Sequence, residues 1–242
     1  MYEEHLKALE HNAWTLESIP WGKIDRTVAI GQPDILEALH DAALIEGYLP
    51  VYIPRLMALL RDDVDATAIL SLELYEGLKH YTALKRYLDS VGHAHTIVTE
   101  QQLVDARRRS EAVSPPITSA VSALTHFMGS EHFAGWFFLR LSQRSTEPVL
   151  RGLLELMSRD ERRHAKAASD LLKARIRVDP AAAHEVLESA AHFRHYGNDV
   201  VEVPLAEPND LEAIVGFNNI IRRLCGTGID RPIDQESARA DQ

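Results

Sequence analysis

Apolar residues recur every three to four positions through most of the chain, and this spacing predicts an all-α protein. Alternation with a period of two, which is typical of a half-buried strand, is confined to the short stretch 200–203. We expect helices at about residues 2–13, 33–61, 65–92, 99–113, 117–144, 148–177, 180–196 and 209–224. The sequence has no tandem repeat and no low-complexity segment.

Residues with special backbone preferences mark several helix ends. Pro50 and Pro54 lie inside the predicted 33–61 helix and should kink it, because proline has no backbone N–H to donate. Thr99 and Gln102 have the spacing of a capping box, in which each side chain satisfies the backbone N–H of the other residue. A shorter helix should therefore begin at this point.

Four of the predicted helices are roughly 27–30 residues long, about twice the average for globular proteins. Long helices favour a four-helix bundle, and the connection at about 93–116 holds a helix of its own, which is typical of a crossover bundle. We predict this helical domain at residues 33–226. An N-terminal helix and loop at 1–32 should precede it, and a mobile tail at 227–242 should follow the additional C-terminal helices.

Composition and charge narrow the possible functions. The chain has 242 residues, 45% of them hydrophobic, which excludes a mostly disordered protein. Acidic residues outnumber basic ones 36 to 26, and the net charge of −10 argues against a nucleic-acid partner. Cys225 is the single cysteine, so an intrachain disulfide is impossible. The start resembles no signal peptide and no apolar run is long enough to cross a bilayer, so we expect a cytoplasmic protein with no membrane partner.

Acidic residues lie in the middle of the apolar faces of all four long helices. They are Glu46 on the first helix, Glu76 with His80 on the second, Glu131 on the third, and Glu161 with His164 on the fourth. Glu73 shares the stripe of the second helix, but we expect it to make a surface or outer contact. An ionised carboxylate in an apolar core costs several kcal/mol unless it is paired or bound to a metal. The pattern predicts a cation between the helices; a buried polar network without metal is the alternative.

The spacing of these residues suits a centre with two metal ions. His80 follows Glu46 by 34 residues (80 − 46), and His164 follows Glu131 by 33 (164 − 131), as two antiparallel helix pairs meeting at one level would require. Carboxylates and imidazoles without thiolates favour iron or manganese over structural zinc. Di-iron carboxylate bundles take one Glu from each of two helices and a Glu-x-x-His from each of the other two.

At these residues the chain resembles the soluble acyl-acyl-carrier-protein desaturases of the ferritin-like di-iron superfamily. IEGYLPVY at residues 45–52 is similar to the family's Glu-Glu-x-Leu-Pro-x-Tyr stretch, and DERRH at residues 160–164 to its Asp-Glu-x-Arg-His motif. Residues 75–88 resemble the stretch around its Glu-Glu-x-Arg-His motif, and Glu131 stands where the third helix supplies a ligand. The resemblance covers about residues 30–180 and implies a ferritin-like four-helix bundle.

One position departs from the family pattern. The family's second helix would place a ligand Glu at position 77, and this chain has Gly77. Either Glu76 substitutes for it, with Gly77 allowing a local π-bulge, or Glu76 faces outward and the site keeps five ligands. Ala134 also differs, because plant desaturases carry a hydroxyl residue one turn past the ligand on the third helix.

The resemblance implies a metal centre and a reaction. The expected ligands are Glu46, Glu76, His80, Glu131, Glu161 and His164, with Asp160 orienting a ligand histidine. The metal content would be two iron ions, an iron–manganese pair or a single iron. O2 would be the co-substrate, an external donor such as a ferredoxin would supply electrons, and hydrogen would be removed from a C–H bond.

The resemblance also implies partners. The substrate would be an acyl chain on an acyl carrier protein, and the enzyme would be a homodimer. Two alternatives stay open. One is a hydroxylase or N-oxygenase of the same superfamily that acts on a small molecule. The other is a catalytically degenerate homologue that acts as a binding partner, which the loss of a carboxylate at Gly77 favours.

Overall fold

The computed structural model describes residues 1–93, 95–113, 119–201 and 210–229. Within these ranges the chain is all-α, without strands. Its helices are α1 (Tyr2–Asn12), α2 (Arg26–Ile30), α3 (Pro33–Glu46), α4 (Leu49–Leu59), α5 (Val64–Val91), α6 (Glu100–Val113), α7 (Ala120–Arg144), α8 (Pro148–Val178), α9 (Ala182–Ala191) and α10 (Leu211–Cys225). None of these described helices is both long and apolar enough to span a lipid bilayer. Residues 230–242 of the expected tail lie outside the described ranges.

The predicted 33–61 helix is in fact two helices, so the expectation of one kinked helix is wrong. α3 ends at Glu46, and α4 starts after a break of two residues with Pro50 in its first turn, where a missing N–H costs no hydrogen bond. The Arg107 guanidinium on α6 donates to the Gly47 carbonyl oxygen at 2.7 and 3.2 Å. This contact satisfies backbone that the break leaves without a helical partner.

The capping box at the start of α6 is confirmed. The Thr99 backbone N–H donates to Gln102 Oε1 at 2.9 Å, and the Gln102 N–H donates to Thr99 Oγ1 at 3.2 Å. The predicted 180–196 helix, by contrast, ends at Ala191. The 192–201 segment that follows is irregular apart from one 3-10 turn, and its Tyr196 N–H donates to Ser130 Oγ on α7 at 3.2 Å.

Two helix pairs surround the interior. α7 packs mainly against α8, and α3 packs mainly against α5. α7 and α8 approach closely at Gly135, where the Ser158 hydroxyl donates to the Gly135 carbonyl oxygen at 2.7 Å. A methyl group at Gly135 would lie only 3.2 Å from Arg162 Cγ. The absence of a side chain at this position therefore lets the two helices lie close together in the layer that holds Glu131 and Glu161.

Two glycines of the described helices and turns offer a matched test of packing. A methyl group at Gly47 would lie 2.5 Å from Leu103 Cδ1, whereas one at Gly152 in α8 would meet no atom within 4 Å. Gly47→Ala should lower the free energy of unfolding by about 1–3 kcal/mol through overpacking. Gly152→Ala should raise it by about 0.5–1 kcal/mol, because alanine favours the helix. Urea denaturation measures both, and changes of the same sign would contradict the described packing.

Candidate metal centre

Carboxylate and imidazole side chains meet in the interior in two groups of three. The first group is Glu46, His80 and Glu161, and the second group is Glu73, Glu131 and His164. Each residue offers one oxygen or nitrogen atom, and within each group these atoms lie within 4.8 Å of one another. All six residues are buried. The described structure thus holds two carboxylate–histidine groups that can each take a metal ion.

Helical spacing explains how four helices deliver these side chains. Glu73 and His80 are two turns apart on α5, and Glu161 and His164 are one turn apart on α8, so each pair lies on one face of its helix. Glu46 is the last residue of α3, immediately before the break that precedes α4. The end of that helix therefore fixes where its carboxylate stands.

Glu161 links the two groups. Its Oε1 lies 2.8 Å from His80 Nδ1, and its Oε2 lies 3.0 Å from His164 Nδ1. The same nitrogen of His164 is 3.1 Å from Glu131 Oε2 and 3.2 Å from Glu73 Oε2. One carboxylate therefore has an oxygen in reach of each group, which is the position of a ligand shared between two metal ions.

The outer nitrogens of the two histidines have matching partners. His80 Nε2 lies 3.1 Å from Asp160 Oδ2, and His164 Nε2 lies 3.1 Å from Glu76 Oε2. A carboxylate at Nε2 holds the proton there and turns Nδ1, the nitrogen that can bind a metal, toward the group. The Trp14 indole N–H also donates to Asp160 Oδ2 at 2.7 Å. Asp160 and Glu76 thus orient the two imidazoles in the same way.

Two cations neutralise these outer carboxylates. Arg163 donates to Glu76 at 2.6 Å and to Asp160 at 2.8 Å, and Lys79 Nζ lies 3.2 Å from Glu76 and 3.6 Å from Asp160. Burial alone would raise the pKa of Glu76, but His164 and Arg163 outweigh it and hold the pKa at about 2. The pKa of Asp160 is lowered as well, since His80 and Lys79 outweigh its burial. The outer layer is therefore ionised and balanced in charge.

Three of the four inner carboxylates are in the opposite condition. Burial raises the pKa of Glu46 and of Glu73 to about 7. Burial together with the charge of Glu161 raises the pKa of Glu131 well above its ordinary value. Glu161 is the exception. Burial alone would raise its pKa, but the neighbouring imidazoles outweigh burial and hold the pKa well below its ordinary value. The carboxyl groups of Glu46, Glu73 and Glu131 thus keep their protons unless another positive charge, such as a metal ion, lies beside them.

The two histidines carry part of that positive charge. Burial lowers the pKa of His80 and of His164, but the surrounding carboxylates, Glu161 at His80 and Glu73 at His164, outweigh it and raise both pKa values well above normal. Without a metal, the negative charge of the surrounding carboxylates therefore keeps both imidazoles protonated. A metal ion would take over the role of these protons.

Unpartnered atoms show that the residues present fit a metal. Four buried atoms of the two groups make no hydrogen bond within the described structure: Glu73 Oε2, His80 Nδ1, Glu131 Oε1 and Glu161 Oε1. His80 Nδ1 and Glu161 Oε1 are close, yet their directions are not those of a hydrogen bond. Leaving buried polar atoms unsatisfied is costly, and a cation bound between them removes the cost. Oxygen and imidazole donors suit iron and manganese.

The sequence-predicted residues are placed as follows. Glu46, His80, Glu131, Glu161 and His164 belong to the two groups, while Glu76 and Asp160 lie behind the histidines. Glu76 is only 1% exposed, so it does not face outward. It lies at the outer nitrogen of His164 and is in neither group. Glu73 was expected to make a surface or outer contact; it is buried and stands in the second group instead. Its signal was its place on the same apolar stripe as His80, two turns away.

The contact at Gly77 explains why the second helix contributes a different residue. A methyl group at Gly77 would lie 2.0 Å from Leu49 Cδ1 and 3.2 Å from Glu46 Oε2. The start of α4 therefore occupies the space that a side chain at position 77 would need. α5 is a regular α-helix through this point, without the π-bulge that we considered. The carboxylate on this face comes from Glu73, one turn earlier.

No protein-family model matches the chain, and no curated protein sequence matches it significantly. The class of protein is therefore defined by the fold and the site alone. It is an all-helical protein with two buried carboxylate–histidine groups that can hold metal ions, an arrangement suggestive of a ferritin-like di-metal site.

The metal-free protein should lose stability as the pH rises from about 4.5 to about 7. Glu46 and Glu73 have a pKa of about 7 in the folded state, against 4.5 for an ordinary Glu. A folded-state pKa above the unfolded one gives stability at low pH that is lost as the pH passes the folded pKa. Anaerobic Mn(II) should cancel this loss, because the cation replaces the protons.

Denaturant titrations across this pH interval, with and without Mn(II), measure the effect. A metal-free protein that becomes more stable over the interval would contradict the description of Glu46 and Glu73 as protonated side chains.

Proposed function

We propose that the protein is a di-metal, O2-dependent oxidoreductase of the ferritin-like class. The proposed ligands are Glu46, Glu73, His80, Glu131, Glu161 and His164. The observation that carries the proposal is the pair of buried groups joined by Glu161, each with a histidine whose outer nitrogen is held by a carboxylate. A polar network with a purely structural role would have no need of four unpartnered buried atoms.

Charge balance supports two divalent ions rather than one. The two groups contain four carboxylates and two imidazoles, so the ionised set has a charge of −4 with neutral histidines. The outer layer balances itself, because Glu76 and Asp160 are matched by Arg163 and Lys79. Two divalent cations would neutralise the inner set, whereas one would leave two buried negative charges.

We also propose that α3, α5, α7 and α8 form a ferritin-like bundle with α6 in the crossover connection. In support, each of these four helices contributes at least one side chain to the two groups. The proposal extends to the expected helical domain at residues 33–226. α1 and the turns that follow it cover one side, where Trp14 reaches Asp160.

The chain's own residues prepare the centre for chemistry. A bound pair of iron ions, or an iron–manganese pair, would supply the activation of O2 that organic side chains cannot provide. Asp160 and Glu76 hold the imidazoles in one orientation, and Trp14 packs flat against His80 with ring centroids 6.1 Å apart. Burial of the carboxylates excludes water from their inner oxygens.

The reaction type follows the resemblance to the acyl-carrier-protein desaturases. On this proposal the protein oxidises a C–H bond of an acyl or related substrate, receives electrons from a ferredoxin-like donor and acts as a homodimer. A hydroxylase acting on a small molecule would use the same centre. Glu73 brings to the second group a carboxylate in place of the one that Gly77 lacks, which supports a complete centre over the degenerate-homologue alternative.

Metal content tests the ligand set. After anaerobic loading with Fe(II), the wild-type chain should hold about two iron ions and Glu73→Ala about one, since each group binds one ion and a lost ligand empties one of them. Glu155→Ala, on the exposed face of α8, is the matched control and should keep about two. Elemental analysis gives the ratio of iron to protein.

Exposure to O2 tests the oxidoreductase itself. The optical spectrum of the loaded wild type should change as Fe(II) is oxidised, whereas Glu161→Ala should show no such change, because the residue that links the two groups is gone. Full iron content and full oxidation in Glu161→Ala would refute the proposed function.

Glu76 should act on affinity rather than stoichiometry. Glu76→Gln keeps the shape of the side chain but removes the charge that holds His164 Nε2, so iron should bind about 10–100-fold more weakly while the saturated ratio stays at about two. Titration with Fe(II) against a competing chelator measures both quantities. A saturated ratio near one would instead identify Glu76 as a direct ligand.

A further inference from the structure

The second group of the centre is rich in donor atoms. Among the described residues, three carboxylate oxygens surround His164 Nδ1, at 3.0 Å on Glu161, 3.1 Å on Glu131 and 3.2 Å on Glu73. Together with the imidazole nitrogen they make four donors, and all four side chains are buried. The second group can therefore surround much of a metal ion with protein atoms.

The first group is poorer in donors. His80 Nδ1 has the Glu161 carboxylate at 2.8 Å, while Glu46 Oε1 lies farther away at 3.8 Å. With the imidazole nitrogen these described atoms make three donors. One of the two carboxylates, that of Glu161, also reaches the second group. A cation in the first group would therefore have one carboxylate of its own, whereas a cation in the second group would have two.

The difference in donors is also a difference in charge. When the shared Glu161 is counted in each group, two ionised carboxylates give the first group a charge of −2 and three give the second group −3. The outer layer does not cancel this difference, because Arg163 and Lys79 each approach both outer carboxylates. Attraction for a divalent cation grows with the negative charge around it, and salt screens buried charges little. The second group should therefore attract the first ion more strongly.

The backbone that carries the ligands favours the same group. Glu73, Glu131 and His164 each lie well inside a long helix, with more than one turn on either side. Glu46 is the last residue of α3, and the helix stops at the break that follows it. A ligand within a regular helix is held closer to its binding position than a ligand at a helix end. The second group thus needs less rearrangement to bind an ion.

We propose that the second group takes up the first divalent cation and that the first group takes up the second cation more weakly. The inference deepens the proposed function and rests on it for the presence of two metal ions. It assigns different roles to two carboxylates, since Glu73 sets the affinity for the first ion and Glu46 the affinity for the second. Glu161 then joins the two ions only after both have entered.

Mn(II) binding to the full-length chain without O2 tests this order with a matched pair of variants. Glu73→Gln and Glu46→Gln each remove one charge and keep the shape of the side chain. Burial raises the pKa of both residues to about 7, so glutamine resembles the neutral acid of the metal-free protein and should preserve the fold. Glu73→Gln should bind the first ion at least about tenfold more weakly than the wild type, because its site has lost a charged ligand. Glu46→Gln should bind the first ion nearly as tightly as the wild type.

Competition with a chelator measures the dissociation constant of the first ion. Glu37→Ala, on the exposed face of α3, is the control and should match the wild type. Glu131→Gln is the second variant of the second group and should behave as Glu73→Gln does. An equal loss of first-ion affinity in Glu73→Gln and Glu46→Gln, or a larger loss in Glu46→Gln, would overturn the proposal.

Electron paramagnetic resonance of Mn(II) supplies a second readout. One equivalent should give mainly the spectrum of isolated bound ions in the wild type, and a second equivalent should replace it with that of a coupled pair, because Glu161 then lies between two ions. A pair spectrum from the first addition onward would overturn the proposed order. Ordered Mn(II) binding by a protein whose Fe(II)-loaded form does not react with O2 would refute the proposed function and leave the order of filling in place.

Discussion

Four buried carboxylates, of which Glu161 reaches both groups, set the conditions for the rest of the structure. Taking such charges out of water costs several kcal/mol each, and bringing them together adds repulsion. The fold meets this cost in two layers. The outer carboxylates, Glu76 and Asp160, are ionised and matched by Arg163 and Lys79. The inner ones have no Arg or Lys beside them, so they need protons or a metal. The raised pKa values of Glu46, Glu73 and Glu131 are the electrostatic sign of that need.

Close helix contacts are the geometric side of the same requirement. α7 and α8 meet at Gly135, and α5 meets the start of α4 at Gly77, so the helices come near enough for their carboxylates to share one small space. The break between α3 and α4 serves the same end, because it places Glu46 at a helix terminus that Arg107 holds through the Gly47 carbonyl. The two close contacts each require a glycine, which has no side chain, and the third arrangement requires a break in a helix. All three lie beside the centre.

Helical periodicity made much of this predictable. Glu46, His80, Glu131, Glu161 and His164 were identifiable because a carboxylate in the middle of an apolar stripe must face the interior, whatever the partner helix. Glu73 could not be identified in this way, because Glu76 lies on the same apolar stripe of α5. Which of the two faces the centre depends on the rotation of α5, and the close approach of Leu49 to Gly77 fixes that rotation. That contact lies between two different helices, so no periodic pattern in the sequence reveals it.

Residues 76–80 (EGLKH) and 160–164 (DERRH) share an acidic residue four positions before a histidine, and the contacts of the two histidines give this likeness a physical meaning. Each segment supplies the outer carboxylate for the histidine of the other, so the two imidazoles are oriented by a reciprocal exchange. The symmetry stops at the inner layer, where Gly77 corresponds to Glu161 and Glu73 stands one turn away. Three carboxylate oxygens, from Glu73, Glu131 and Glu161, lie within 3.2 Å of His164 Nδ1. His80 Nδ1 has Glu161 at 2.8 Å and Glu46 at 3.8 Å. The two histidines are alike in their outer contacts but face different numbers of carboxylate oxygens, so the two positions would offer a cation different amounts of negative charge.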